Sequence, residues 1–245
     1  MRQKLLSLIV PFALMISLLA IPVKADEGEW DFAVGFKAIS GDLDTSGSET
    51  DYNVTNPLLS VRGTEVNKGT SSKNVEIGAI FAEFIGRDGF VGMTSGFEWI
   101  PGTASLGTKA RTDSSDVDSG QTSGVGTYTA KAEIENVITF YIEPTLYVAD
   151  NIGLYAKGGV TSMEVNTLET ISSGINSSTY PSSTMVGGVL GYGMRYKHDS
   201  GFMVKLEYSE TNFKPYDETS TTGNKNRIKA EVDYSQTSLA IGYQF

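Results

Sequence analysis

From Thr237 to Phe245 the chain alternates strictly. Leu239, Ile241, Tyr243 and Phe245 are large and apolar, whereas Ser238, Ala240, Gly242 and Gln244 are small or polar. A period of two puts the first set on one face of a β-strand and the second on the other. The pattern recurs along the chain and predicts eight strands, at about 30–39, 75–86, 90–99, 128–148, 152–165, 184–197, 201–213 and 229–245. No segment after residue 25 has the periodicity of a helix.

The predicted connections alternate in length. Residues 87–89, 150–151 and 198–201 are short and carry Asp, Asn, Gly and Ser, which suit tight turns. Residues 40–74, 100–127, 166–183 and 214–228 read as long loops rich in Ser, Thr, Gly and Asn. Short turns at one end and long loops at the other are the habit of a membrane barrel, with both termini on the short-turn side.

One face of nearly every strand is apolar, as with Trp30, Phe32, Val34 and Phe36 or Ile138, Phe140 and Ile142. The opposite faces collect glycine and charge: Asp31, Lys37, Glu98, Glu143, Lys157, Arg195, Lys205 and Glu207. Arg or Lys facing lipid at mid-depth costs about 2–4 kcal/mol, so the charged face is expected to line a lumen. It reads either as a structural network or as a pore lining. Strand 75–86 fits poorly: an inward Glu83 brings Ile77, Ala79 and Phe81 inward with it, and a β-bulge would be one remedy. Trp30 and Trp99 are expected at the inner and outer membrane interfaces. Tyr192, Tyr196, Phe202, Tyr243 and Phe245 are expected around the inner one, and Tyr208 completes the girdle set.

Residues 1–25 have a basic start, an apolar run and the small-residue ending Val23-Lys24-Ala25, and read as a signal peptide. Residues 26–245 form one domain. The formal net charge is −10; without Arg2, Lys4 and Lys24 it becomes −13, from 16 basic and 29 acidic residues. That balance argues against nucleic acid as a partner. There is no cysteine, which excludes disulfides and thiolate chemistry.

On the leader, the eight alternating segments and the closing Thr237–Phe245, the chain resembles the small outer-membrane β-barrels of Gram-negative bacteria. These are the opacity-protein-like group, akin to the barrel domain of outer membrane protein A. The resemblance implies an all-β fold, an eight-stranded antiparallel up-and-down transmembrane β-barrel, in the outer membrane. It also implies that Ile241, Tyr243 and Phe245 form the carboxy-terminal signal read by the barrel-assembly machinery.

Chemistry is sparse. The one histidine, His198, falls in a turn beside Asp199 and Ser200, and adjacent residues cannot hold a catalytic triad. Asp113, Asp116 and Asp118 lack the spacing of a calcium loop. No catalytic residue, metal site or cofactor is expected. Lys225, Arg227 and Lys229 could touch lipopolysaccharide phosphates. The long loops carry Tyr52, Pro57, Leu58, Leu59, Ile171, Ile175, Tyr180 and Pro181, and are the strongest candidates for binding an unknown surface ligand. The expected role is a non-enzymatic one, in envelope integrity or surface interaction, by a monomer in contact with outer-membrane lipid. The alternatives are a narrow pore for ions or small solutes, and a soluble periplasmic β-sandwich.

Overall fold

Nine antiparallel strands appear among the residues described by the computed structural model, which are 29–55, 62–113, 126–171, 180–221 and 226–245. They are β1 (Glu29–Thr55), β2 (Arg62–Asp88), β3 (Val91–Asp113), β4 (Gly126–Ala149), β5 (Ile152–Ile171), β6 (Ser183–Lys197), β7 (Phe202–Phe213), β8 (Tyr216–Thr219) and β9 (Arg227–Gln244). Each long strand pairs with its neighbour in sequence, and β1 pairs with β9, so the sheet closes. The short β8 follows β7 along the same edge of β9, pairing Tyr216 with Ala230 above the β7 partners. The wall is therefore an eight-stranded barrel. The leader and Pro57, Leu58, Leu59, Ile175, Asp116, Asp118 and Lys225 lie outside the described residues.

The strands lean. From Ile39 the paired partners run through Ser238, Glu207, Gly193, Tyr155, Thr145, Gly92 and Arg87 to Glu29. The row returns to β1 ten residues from where it left. Closure with such a stagger demands a strand tilt of about 40°. Tilt corrects one expectation. Tyr192 pairs with Tyr208, Tyr208 with Thr237, and Thr237 with Ser40, so Tyr192 stands toward the outer end, well above Trp30. Tyr192 and Tyr208 pack at a centroid distance of 5.7 Å. Near the inner end, Phe245 stacks on Phe32 at 6.4 Å and meets Tyr243 edge-on at 5.0 Å.

The long loops are a second correction. Residues 40–55, 62–74, 100–113, 126–127 and 166–171 are strand. A membrane crossing takes about 9–11 tilted residues. At 27 residues, β1 and β2 extend far beyond that. These extensions have water outside instead of lipid, and their polar outer faces hid the alternation.

The interior changes with the exterior. Inside the membrane band the outer face is apolar and the lumen holds buried charge beside one apolar layer. Above it, Leu43, Ile134, Met163, Val165, Met185 and Val232 turn inward and form an apolar core. A wall wetted outside must find its hydrophobic burial inside, as in a soluble barrel.

Glycines make the lumen passable for two tyrosines. A Cβ at Gly96 would collide with the Tyr141 ring, and one at Gly193 would lie 2.5 Å from the Tyr155 ring. Gly78 faces outward, with its nearest neighbour at 3.8 Å. Gly96→Val is therefore expected to cost about 1–3 kcal/mol through overpacking. Gly78→Ala should be close to neutral. Urea unfolding of the two refolded variants in detergent checks the contrast.

Candidate functional site

The interior of the membrane band holds the densest chemistry. Alternation on eight strands aims every second side chain at a lumen only about wide enough for side chains to fill. Four cations (Lys37, Lys157, Arg195, Lys205) and four carboxylates (Glu83, Glu98, Glu143, Glu207) meet there. No side chain among the eight is more than 5% exposed.

They sort into two neutral tiers. In the outer tier Lys37 donates to Glu98 and, at 3.1 Å, to Glu207. Lys157 donates to Glu207 at 2.8 Å and lies 3.6 Å from Glu98. In the inner tier Lys205 donates to Glu83 and, at 2.8 Å, to Glu143. Arg195 donates to Glu143 at 2.5 Å and stands 3.6 Å from Glu83. Two tyrosines tie the tiers together. Tyr141 donates to Glu83 at 2.8 Å and lies with its ring centroid 4.1 Å from Lys157 Nζ. Tyr155 donates to Glu207 at 3.1 Å and offers its ring to Lys205 at 4.8 Å. Buried charges are tolerable only with such pairing, because an unpaired one costs several kcal/mol, about 3–5 when a partner is removed.

Of the eight residues expected to line the lumen, seven belong to this network. Asp31 does not; it sits at the inner rim, 3.3 Å from Lys197. The member missing from the expected set is Glu83, fully buried at the centre of the inner tier. β2 has no bulge between Val75 and Asp88, so Ile77, Ala79, Phe81 and Ile85 do face inward with it. A bulge is unnecessary because the lumen is not polar throughout. Phe81 and Ile85 pack with Ala33, Met203 and Ala240 as an apolar layer. The signal that could have placed Glu83 was charge balance. The seven other lumen members carry four positive charges against three negative, and Glu83 completes the set.

Other candidates lie elsewhere. Trp30 (73% exposed) and Trp99 (37%) face outward at opposite ends of the apolar band, as Tyr196, Phe202 and Tyr243 do at the inner end. Ile241 and Phe245 also face outward. Phe90 is exposed at the β2–β3 turn. His198 Nδ1 is engaged with Ser200 Oγ at 2.9 Å within the β6–β7 turn. Above the membrane, Arg227 grips Asp217 with two bonds of 2.6 and 2.7 Å, and Lys229 stands 3.3 Å from it. The Arg227 hydrogen bonds hold the Asp217 carboxyl below its ordinary pKa. Tyr180 donates to Glu49 at 2.9 Å, which draws the segment before β6 against β1.

Among solved structures the chain is similar to Ail, the attachment invasion locus protein of Yersinia pestis, in complex with the heparin analogue sucrose octasulfate. The identity is 13% and the TM-score 0.40, over 86% of this chain and 99% of that one. It is also similar to the outer membrane protein OprG of Pseudomonas aeruginosa, at 14% identity and a TM-score of 0.39, over 86% and 96% of the two chains. Neisserial surface protein A is similar at 9% identity and a TM-score of 0.32, over 85% and 99%. No curated protein sequence matches significantly. The model of the outer membrane protein beta-barrel domain matches residues 12–245. A match of that length settles the family: the chain belongs to the outer-membrane β-barrel proteins, and its place is the cell outer membrane.

Proposed function

We propose that the protein is a non-enzymatic, non-conducting barrel that acts at the cell surface through its outer extension, in envelope integrity or surface contact. The observation that carries this reading is the filled lumen: two neutral tiers of paired charge, none of them more than 5% exposed. A plug of this kind stabilises a wall and leaves function to what stands above it. The extension offers a large protein surface on rigid strands, which is where binding sites are commonly carried. His198, the one histidine of the sequence, holds the β6–β7 turn, where its Nδ1 accepts from the Ser200 backbone N–H at 3.1 Å. In the same reading, residues 1–25 are removed on export, and Ile241, Tyr243 and Phe245 are presented to the assembly machinery. The exposed aromatics anchor the barrel at both interfaces, and the protein works as a monomer. Contact with lipopolysaccharide through Arg227 and Lys229 would have to compete with Asp217.

Planar-bilayer recording tests the reading: the refolded mature chain should give no steady single-channel steps. A second reading, a thin polar pathway, is favoured by one detail. Thr94 Oγ1 and Arg195 Nε and Nη1 are buried without a hydrogen-bond partner in the protein. Steady conductance that changes on Glu143→Gln would establish that pathway and overturn the closed scaffold.

A further inference from the structure

Above the membrane the wall becomes two sheets. β2 and β3 pair from Asp88–Val91 up to Ile80–Trp99, and beyond that pair they part. β2 continues outward on β1, β1 on β9, and β9 on β8. β3 continues on β4, and β4 on β5. On the other side β5 loses β6 above the Val165–Ser183 pair, where β6 begins. The extension is therefore two leaves, β2–β1–β9–β8 and β3–β4–β5. Among the described residues no backbone ladder joins them.

What holds the leaves together changes with height. At their roots Leu43, Tyr216 and Val232 of the first leaf pack with Ile134 and Val165 of the second and with Met185 of β6. Further out the same inward faces carry Thr45, Gly47, Ala132 and Thr167, which are small or polar. Side-chain hydrogen bonds take over there, and three of them meet on Tyr180 and Pro181. These two residues lie in neither leaf; they belong to the irregular stretch 180–182 before β6. Thr167 of β5 donates to the Tyr180 carbonyl at 3.1 Å. The Tyr180 hydroxyl donates to Glu49 of β1 at 2.9 Å, and Tyr216 of β8 donates to the Pro181 carbonyl at 3.0 Å. The stretch thus crosses the mouth, tied to one leaf at one point and to the other at two. Tyr180 is buried there. On the β2–β3 side an exposed bond, from Lys73 Nζ to the Ser105 carbonyl at 2.6 Å, spans the parting.

We propose that the outer extension is a two-leaved clamp and that Tyr180 and Pro181 are its clasp. The three bonds that tie the clasp can break without disturbing any strand ladder, so this is the part of the wall that opens first. The leaves then swing about their roots, at Ile80–Trp99 on one side and Val165–Ser183 on the other. Closed, the clamp hides Val165, Met185 and Tyr216; open, it presents them to the medium at the cell surface. The charge tiers lie below the roots and do not move with the leaves. The device stands independently of any partner of the extension and of whether the lumen conducts.

The test uses the full mature chain in phosphatidylcholine nanodiscs and two readouts. The first is methionine oxidation by hydrogen peroxide, followed by peptide mass spectrometry; peroxide gives one oxygen to the sulfur and leaves as water. Met185, under the clasp, reports opening, and Met203, in the apolar layer of the membrane band, is the reference. Met185 should oxidise faster than Met203 in the unaltered protein. Tyr180→Phe should speed Met185 about fivefold, the worth of one hydrogen bond, and leave Met203 unchanged. The second readout is the distance between nitroxide labels on Ser46→Cys and Lys131→Cys, one on each leaf, in a chain that has no cysteine of its own. Double electron–electron resonance should show a longer distance as the main one once Tyr180→Ala is added. Boiled and unboiled gel migration shows that each variant is folded, and Tyr180→Phe carries the test should Tyr180→Ala fail to fold. Met185 as protected as Met203 in the unaltered protein overturns the clamp. So does a Met185 rate unmoved by Tyr180→Phe, or a label distance unmoved in folded Tyr180→Ala.

Discussion

Lys205→Met is expected to cost about 3–5 kcal/mol, the penalty for breaking a buried ion pair by removing one partner. Lys205 is the hub of the inner tier. Its ammonium meets Glu83 and Glu143 and lies 4.8 Å from the Tyr155 ring centroid. Without it, two fully buried carboxylates share Arg195 alone. Urea unfolding of the refolded variant measures the loss, and a lower temperature for the gel-shift transition should accompany it. The double variant Lys205→Met with Glu143→Gln restores neutrality, and should recover at least half of the loss. A single-variant cost below about 1 kcal/mol would mean that water reaches the stranded carboxylates, since only burial makes them expensive. That result would move the lumen from plug to pathway.

The sequence declared the membrane half of the wall and disguised the rest. In Trp30–Phe36, Ile138–Ile142 and Phe202–Tyr208 lipid on one side and packed charge on the other force a clean alternation, and those faces stand as read. Where water replaces lipid, the apolar residues cross to the inner face. On β5 the outward set ends with Val160, and Met163 and Val165 turn inward. On β9 Val232 is inward, whereas Leu239 and Ile241 face lipid. On these two strands the side-chain period stays two and the phase of hydrophobicity flips, whereas on β4 the register shift between Glu135 and Ile138 is what turns Ile134 inward. A reading that seeks one continuous apolar face stops at the flip and takes the remainder for loop. Glu83 was obscured for a related reason: its neighbours Phe81 and Ile85 belong to an apolar lumen layer, so the inner face of β2 mixes both characters. Tyr192 was misplaced because distance along a tilted strand is not depth.

The phase flip locates the outer membrane boundary, and arginine can find it independently. On β1 the outward positions run Phe32, Val34, Phe36, Ala38, Ser40, Asp42 and Asp44, all exposed, while Ala33, Lys37, Ile39 and Leu43 are buried between them. Val34→Arg puts a guanidinium against lipid near mid-depth and is expected to cost about 2–4 kcal/mol. Ala38→Arg, nearer the interface, should cost about 0–1 kcal/mol, because the side chain can reach the headgroups. Ser40→Arg and Asp44→Arg should cost nothing measurable if the strand has left the bilayer there. Folding equilibria in phosphatidylcholine vesicles, titrated with guanidinium chloride, give the four values on one face of one strand. A cost that dies away between Val34 and Ser40 fixes the boundary at the level where β2 and β3 part. A cost that persists at Asp44 would place the extension within the membrane, and the inward apolar cluster around Leu43 would then lose its physical reason, since lipid outside removes the need for a hydrophobic core inside.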